Sequence, residues 1–303
     1  MKKSLVMWAV LPLVALVAAC GSPTKDDGTT SVVASFYPFA WIAKQVGGSF
    51  VDVQNLTSPG TEPHDLELKP KQVAAVQDAD LVVYEKHFQA AVDEAVEQAG
   101  RSKHDTVDAD TELSVLPVQG GAAEDGHDQS DEDPHTWLDP ANMIIMAKAV
   151  STQLAEVDPD HASTYRANAD GLIRRLGSLD DAFTAGLATC ERRTIVTSHA
   201  AFQYLAKRYD LTQVPIAGID PTNEPSPSQL ADITRLVRKE GITTIFTEEL
   251  VSPAIADTIA KETGARTATL DPIEGLSDET KNETYVTLMD RNLATLRKAN
   301  GCS

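Results

Sequence analysis

Basic residues are scarce in this chain: 26 lysines and arginines stand against 45 aspartates and glutamates, for a formal net charge of −19. Such a surface disfavours a nucleic-acid partner, whose phosphates must be met by Lys and Arg. It favours solubility and attracts cations only weakly and without specificity. Long apolar runs are short as well. The apolar stretch over residues 5–19 is interrupted by Pro12 and falls below the ~20 residues that a spanning helix needs. No HExxH helix, Gly-rich nucleotide loop or Ser–His–Asp nucleophile motif occurs, so the usual marks of a metalloprotease, a nucleotide enzyme or a serine hydrolase are missing. Glycine and proline are unremarkable and no short-period repeat is visible. Cysteine is nearly absent, with only Cys20, Cys190 and Cys302.

What is present begins at the start of the chain. Lys2 and Lys3 precede the apolar stretch, and Val17-Ala18-Ala19-Cys20 matches a lipobox, in which cleavage before Cys20 leaves that cysteine to carry lipid. The alternative is an ordinary cleaved leader with an incidental cysteine. The lipobox reading makes 1–19 a signal peptide and 20–30, whose polar run GSPTKDDGTTS lacks apolar periodicity, a tether. The protein is then expected outside the cytoplasm, held to the cell membrane through Cys20 alone. In such an oxidising compartment the two remaining cysteines, Cys190 and Cys302, are expected to pair as a disulfide.

Downstream, strand-like and helix-like stretches alternate. Strands are predicted at 31–35 (SVVAS), 51–56 (VDVQNL), 81–84 and 106–108. Helices are predicted at 39–46, 70–77 and 87–99, the last closed by Gly100. Residues 119–134 carry no periodicity and many acids, with His127, and read as an exposed loop; Asp125, Asp128, Asp131 and Glu132 are either weak metal-gathering groups or a solvated surface. Asp139-Pro140 opens a helix to about 156. Tyr165, Ala169, Leu172, Leu176, Leu179, Phe183 and Leu187 then form one apolar stripe. That long helix either bridges two halves or packs within one. The alternation resumes with strands at 194–197, 212–217, 243–247 and 266–270, and helices at 200–208, 228–240, 253–263 and 280–298. The simplest architecture is α/β, with two Rossmann-like lobes of parallel sheet (31–157 and 190–303) joined by a long rigid helix (158–189).

In open α/β sheets, ligands bind beyond the carboxyl ends of the strands. His199 lies two residues after TIVT, Glu248 follows TIFT and Asp271 follows TATL. His64 lies in the loop after the second strand, and His135 lies just before the helix opening at Pro140. Together they fit a metal site in a cleft between the lobes. Each also has a plain reading: a polar surface histidine, or, for Asp271 before Pro272, a turn or helix cap.

The stretches EPHDLELKP (62–70), DPHTWLDP (133–140), TSHAAFQYLAKRYDL (197–211) and LDPIEGLS (270–277) closely resemble the metal-binding lipoproteins of ABC transporters for zinc and manganese. SFYPFAWIAKQVGG (35–48), GIDPTNEPSPSQL (218–230) and IFTEELVSPAIADTIAKETGA (245–265) extend the likeness over residues 31 to about 300. The resemblance implies two α/β lobes bridged by one helix, a divalent ion between them, and delivery to a permease driven by a cytoplasmic ATPase. It implies metal ligands at His64, His135, His199 and Asp271. Some relatives use a carboxylate immediately before the first histidine; Pro63 occupies that place here. Glu248 is a candidate to hydrogen-bond a ligand histidine or to remain a solvated strand-end carboxylate. Related manganese binders tend to carry a carboxylate at the third position, where this chain has His199. Three imidazoles and a carboxylate suit tetrahedral Zn2+, with Mn2+ the second choice because it prefers more oxygen. The expected role is capture by a monomer without catalysis. The rival enzyme reading is a secreted zinc hydrolase with Glu248 as base. An adhesin is a further rival, but no recognisable adhesive motif supports it.

Overall fold

A computed structural model describes residues 28–118 and 132–303. The expected signal peptide, Cys20, most of the tether and residues 119–131 of the acidic stretch, with His127, lie outside the described residues; the end of that stretch, expected as exposed loop, is instead a short strand at Glu132–Asp133 with Asp133 buried.

The first lobe runs β1 (Thr30–Ala34), α1 (Tyr37–Gly47), β2 (Val51–Asn55), α2 (Pro70–Asp78), β3 (Leu81–Tyr84), α3 (Ala90–Gln98) and β4 (Thr106–Asp108). A one-turn α4 (Ala109–Glu112), the two-residue strands β5 (Leu116–Pro117) and β6 (Glu132–Asp133), and α5 (Pro140–Val157) follow. The long α6 (Ala162–Gly186) leads to β7 (Thr194–Thr197), α7 (Gln203–Arg208), β8 (Thr212–Pro215), α8 (Pro227–Glu240), β9 (Thr244–Thr247), α9 (Ala254–Thr263), β10 (Arg266–Thr269) and α10 (Tyr285–Asn300).

β3 (LVVY) and β9 (TIFT) are buried at every position. β-Branched residues of this kind suit strands covered on both faces, and parallel pairing demands the crossover helices that cover them. Both four-stranded sheets are parallel throughout, in the orders β2-β1-β3-β4 and β8-β7-β9-β10, and β5 and β6 form a separate antiparallel pair. Strand order therefore reverses between β1 and β3 and again between β7 and β9. The crevices beyond those two reversals are where an α/β sheet offers its ligand site.

Local signals fix several helix ends. Asp139 Oδ1 accepts the N–H of Ala141 at 2.8 Å, capping α5 ahead of Pro140. Ser226 and Gln229 form a capping box at α8, and Gly241, at φ 65°, closes that helix. Several helices start later than the sequence pattern predicts, α7 among them, at Gln203 rather than 200. His87 adopts φ 67°, a left-handed conformation that no helix contains, so α3 begins at Ala90. Thr284 Oγ1 accepts the N–H of Thr287, so α10 begins at Tyr285 rather than near 280.

The stripe on α6 is buried from Tyr165 to Phe183. Asn168 Nδ2 donates to Val46 O at 2.9 Å and Arg175 to Gln45 Oε1 at 2.7 Å, which ties the first half of α6 to α1. Near its end Gly186 approaches α10 so closely that a Cβ would lie 3.0 Å from Leu293 Cδ1. The helix thus packs on both lobes, and Phe39, Leu172, Ile195 and Leu296 share one core. Trp137 adds a polar clasp between the lobes: its Nε1 donates to Pro272 O at 2.7 Å, and its carbonyl accepts Tyr285 OH at 2.6 Å. Cys190 and Cys302 form a disulfide across 112 residues of sequence, at the end of the second lobe where β7 begins.

Candidate metal centre

Three histidines arrive at one point from three different loops. His199 is placed by β7, which ends two residues earlier at the β7/β9 reversal. Glu248 leaves β9 beside it; Oε1 accepts the His199 backbone N–H at 3.1 Å, and Oε2 lies 2.7 Å from Nδ1. His135 sits two residues after β6. Asp133 Oδ1 accepts its backbone N–H at 3.0 Å and lies 2.7 Å from its Nδ1. His64 comes from the long loop after β2, with its ring edge-on to Phe88 at 4.7 Å and its N–H donated to Glu62 Oε1 at 3.0 Å.

A carboxylate against Nδ1 assigns the proton there, which leaves the Nε2 lone pair free. In His135 and His199 those lone pairs face each other across 3.2 Å. Glu274 Oε1 stands 3.5, 3.4 and 3.2 Å from Nε2 of His64, His135 and His199. The four ligand atoms all lie within 4.8 Å of one another. Glu274 is 1% exposed, and among the described residues neither of its oxygens has a hydrogen-bond partner; nor does His64 Nε2. Acceptors converging without donors in a buried place repel one another and want a cation between them. Three imidazole nitrogens and one carboxylate oxygen are a donor set that fits Zn2+.

Ionisation follows the same logic. Burial foremost, joined by the charges of His135 and His199, pulls the His64 pKa down, with Glu274 only partly offsetting it. Burial also opposes charge on His199, but the carboxylates of Glu248 and Glu274 outweigh it and hold the pKa well above the ordinary imidazole value. His135 is raised in the same way, by Asp133 and Glu274 against burial. Glu274 is held well below the usual carboxylate range, because the imidazoles, His199 foremost, overcome its burial. Glu62, at the rim, is pushed up to about 8 by burial and then by the charge of Glu274.

The structure brings His64, His135 and His199 together but gives the carboxylate place to Glu274, not to Asp271. Asp271, the fourth ligand expected from the sequence, is not a member of that cluster. One oxygen of Asp271 is occupied otherwise, since Oδ1 accepts the N–H of Ile273 at 2.8 Å and closes a turn across Pro272, while Oδ2 is buried without a partner among the described residues. An Asp before Pro is a turn former, and that signal was available. Glu274 lies within the quoted LDPIEGLS and is the next carboxylate along, but nothing in residue spacing says that the turn aims it inward. Asp133, the partner of His135, was likewise visible only as the first residue of DPHTW.

Comparison with known proteins places these features. The family described as "ZnuA: Zinc-uptake complex component A periplasmic" matches residues 32–299. The zinc-binding lipoprotein AdcA of Streptococcus pneumoniae is 39% identical over 308 aligned residues, covering 98% of this chain and 61% of that protein. The chain therefore spans about three fifths of that relative. The high-affinity zinc uptake system protein ZnuA of Bacillus subtilis is 35% identical, covering 93% of both chains. The crystal structure of the Zn(II)-bound ZnuA-like domain of S. pneumoniae AdcA superposes with a TM-score of 0.77 at 37% identity, over 90% of this chain and 99% of that one.

Proposed function

Since the chain belongs to the family of periplasmic zinc-uptake complex A components, we propose that it captures Zn2+ outside the cytoplasm and delivers it to an ABC importer. One observation carries the reading: Nε2 of His64, His135 and His199 and a carboxylate oxygen of Glu274 meet within 4.8 Å, buried between two lobes. These four side chains are the proposed ligands. Zn2+ has no geometric demand beyond a compact tetrahedron of nitrogen and oxygen donors, which this set supplies. Mn2+, the second choice, asks for more oxygen and higher coordination.

Capture then needs no chemistry beyond exchange of protons and water for protein ligands. Asp133 and Glu248 hold the rings of His135 and His199 in the tautomer that binds, so little reorganisation accompanies uptake. Among the described residues no carboxylate meets His64 Nδ1, and the His64 loop reaches the second lobe through the Gly60 N–H to Leu276 O hydrogen bond of 2.8 Å. The ion ties that loop to the others.

The lipobox supports attachment through lipid on Cys20, with the importer's permease and ATPase as partners and the chain acting as a monomer. Among the described residues no helix is long and apolar enough to cross a membrane. Metal analysis of the purified mature protein, followed by Zn2+/Mn2+ competition on wild type and His199→Ala, tests the metal. Mn2+ displacing Zn2+ at equal concentration, or wild type and variant binding alike, ends this reading. Loss of lipid labelling in Cys20→Ser tests the anchor.

A further inference from the structure

We infer that Asn292 and Trp137 are positioning residues for Glu274, setting zinc affinity from outside the ligand set by pinning the strained turn that delivers this carboxylate. The inference rests on the zinc reading above.

Asn292 is a polar side chain in the middle of α10 and only 2% exposed. A buried amide in that position destabilises unless all its groups are paired. Both are paired with a single residue: Asn292 Oδ1 accepts the N–H of Asp271 at 2.9 Å, and Nδ2 donates to the carbonyl of Asp271 at 2.6 Å. The amide thus acts as an added strand rung just where β10 ends. The residue before is still in register, with Leu270 N–H donating to Thr247 O at 2.9 Å.

Beyond Asp271 the chain must turn away from the sheet and enter the cleft. Pro272 O is held by Trp137 Nε1 at 2.7 Å, a hydrogen bond from the opposite lobe. Ile273 then adopts φ 58° and is wholly buried. A β-branched residue in the left-handed region is strained and persists only where its surroundings over-determine it. Here those surroundings are the Asn292 amide, the Trp137 indole and the Asp271 carboxylate. Glu274 follows directly, and among the described residues no hydrogen bond to its own oxygens holds it. Its placement comes from the backbone before it, so relaxing Ile273 to a negative φ turns the carboxylate off the three imidazoles.

A double-mutant cycle tests this, using the mature protein, Zn2+ competed against a chromophoric chelator, and Co2+ as a visible probe of coordination. Asn292→Ala and Trp137→Phe are each expected to weaken Zn2+ binding by about 10- to 100-fold, the usual effect of removing a group that orients a metal ligand. In a Glu274→Gln background neither adds a further loss, because the group they position is already disabled. The Co2+ d–d band of each single variant is expected to shift as solvent replaces the carboxylate. Losses that add to that of Glu274→Gln, or single variants with wild-type affinity and spectrum, overturn the inference. Should Asn292→Ala fail to fold, the Trp137→Phe cycle decides alone. Wild type that takes up no Zn2+ removes the parent reading; wild type that binds, with variants that bind equally, removes only this one.

Discussion

His199 and Glu248 are joined twice, by the His199 backbone N–H to Oε1 at 3.1 Å and by Nδ1 to Oε2 at 2.7 Å. The carboxylate fixes both where the ring sits and which nitrogen carries the proton. Glu248→Gln keeps the shape but offers an amide whose NH2 competes for Nδ1, so part of the population has the wrong tautomer. Zn2+ affinity is expected to drop by about 10- to 100-fold. Chelator competition checks it, and an unchanged affinity shows that the pair does not orient the ligand.

Glu274 and Asp271 separate cleanly by substitution. Asn at 271 still presents an oxygen to the Ile273 N–H, so Asp271→Asn is expected to bind Zn2+ within about threefold of wild type, well inside 1 kcal/mol. Glu274→Gln replaces the one charged ligand with a neutral amide, and its loss is expected to exceed that of Asp271→Asn by at least about tenfold. Isothermal competition titration of the two variants reads the ranking directly, and the reverse order reinstates Asp271 as the ligand.

Much of this was legible in the residues. β-Branched runs such as LVVY and TIVT, the Asp139-Pro140 start and the Gly241 and Gly264 stops each act through neighbours in sequence, so α/β alternation could be read from them. His64, His135 and His199 were legible because strand ends converge in this topology. The fourth carboxylate was not. Whether Asp271 or Glu274 enters the cleft depends on the backbone conformation of Ile273, which is held by Asn292 and Trp137 from distant parts of the chain. The position of α6 was also beyond local pattern, since its apolar stripe looks the same whether it meets one lobe or two.

The disulfide lies where β7 begins, whereas the metal ligands lie beyond the other ends of the strands. Closing a loop of this length stabilises by at most ~5 kcal/mol in the chain-entropy view. Reduction, or Cys190→Ser with Cys302→Ser, is expected to lower the melting temperature while leaving Zn2+ affinity within about twofold. A large loss of affinity on reduction shows that the bond supports the site as well as the fold.

Protons and Zn2+ compete for the same cluster, and this gives the metal-free and metal-bound proteins opposite responses to pH. Without metal, His135 and His199 have raised pKa values, so their contribution to stability is fully present below the unfolded imidazole value of about 6.5 and is lost as pH rises through their higher folded values. The depressed pKa of Glu274 works the other way: its contribution is present above the unfolded carboxylate value near 4.5 and is lost only as pH falls through the lower folded value. Metal-free protein therefore has all three contributions between about pH 4.5 and 6.5, and it weakens as pH climbs above that window. Zn2+ needs the same imidazoles neutral, so binding releases protons and strengthens over the range in which the metal-free site weakens. The rise in melting temperature on adding Zn2+ is expected to be small at pH 5.5 and to grow steadily to pH 8. At a free Zn2+ of about 1,000 times the dissociation constant the gain is about 4 kcal/mol. Calorimetric scans with and without Zn2+ across that range test it, with buffers of different ionisation enthalpy to count protons released. A zinc-induced shift independent of pH, with no proton release, means that His135 and His199 are not the groups Zn2+ displaces protons from.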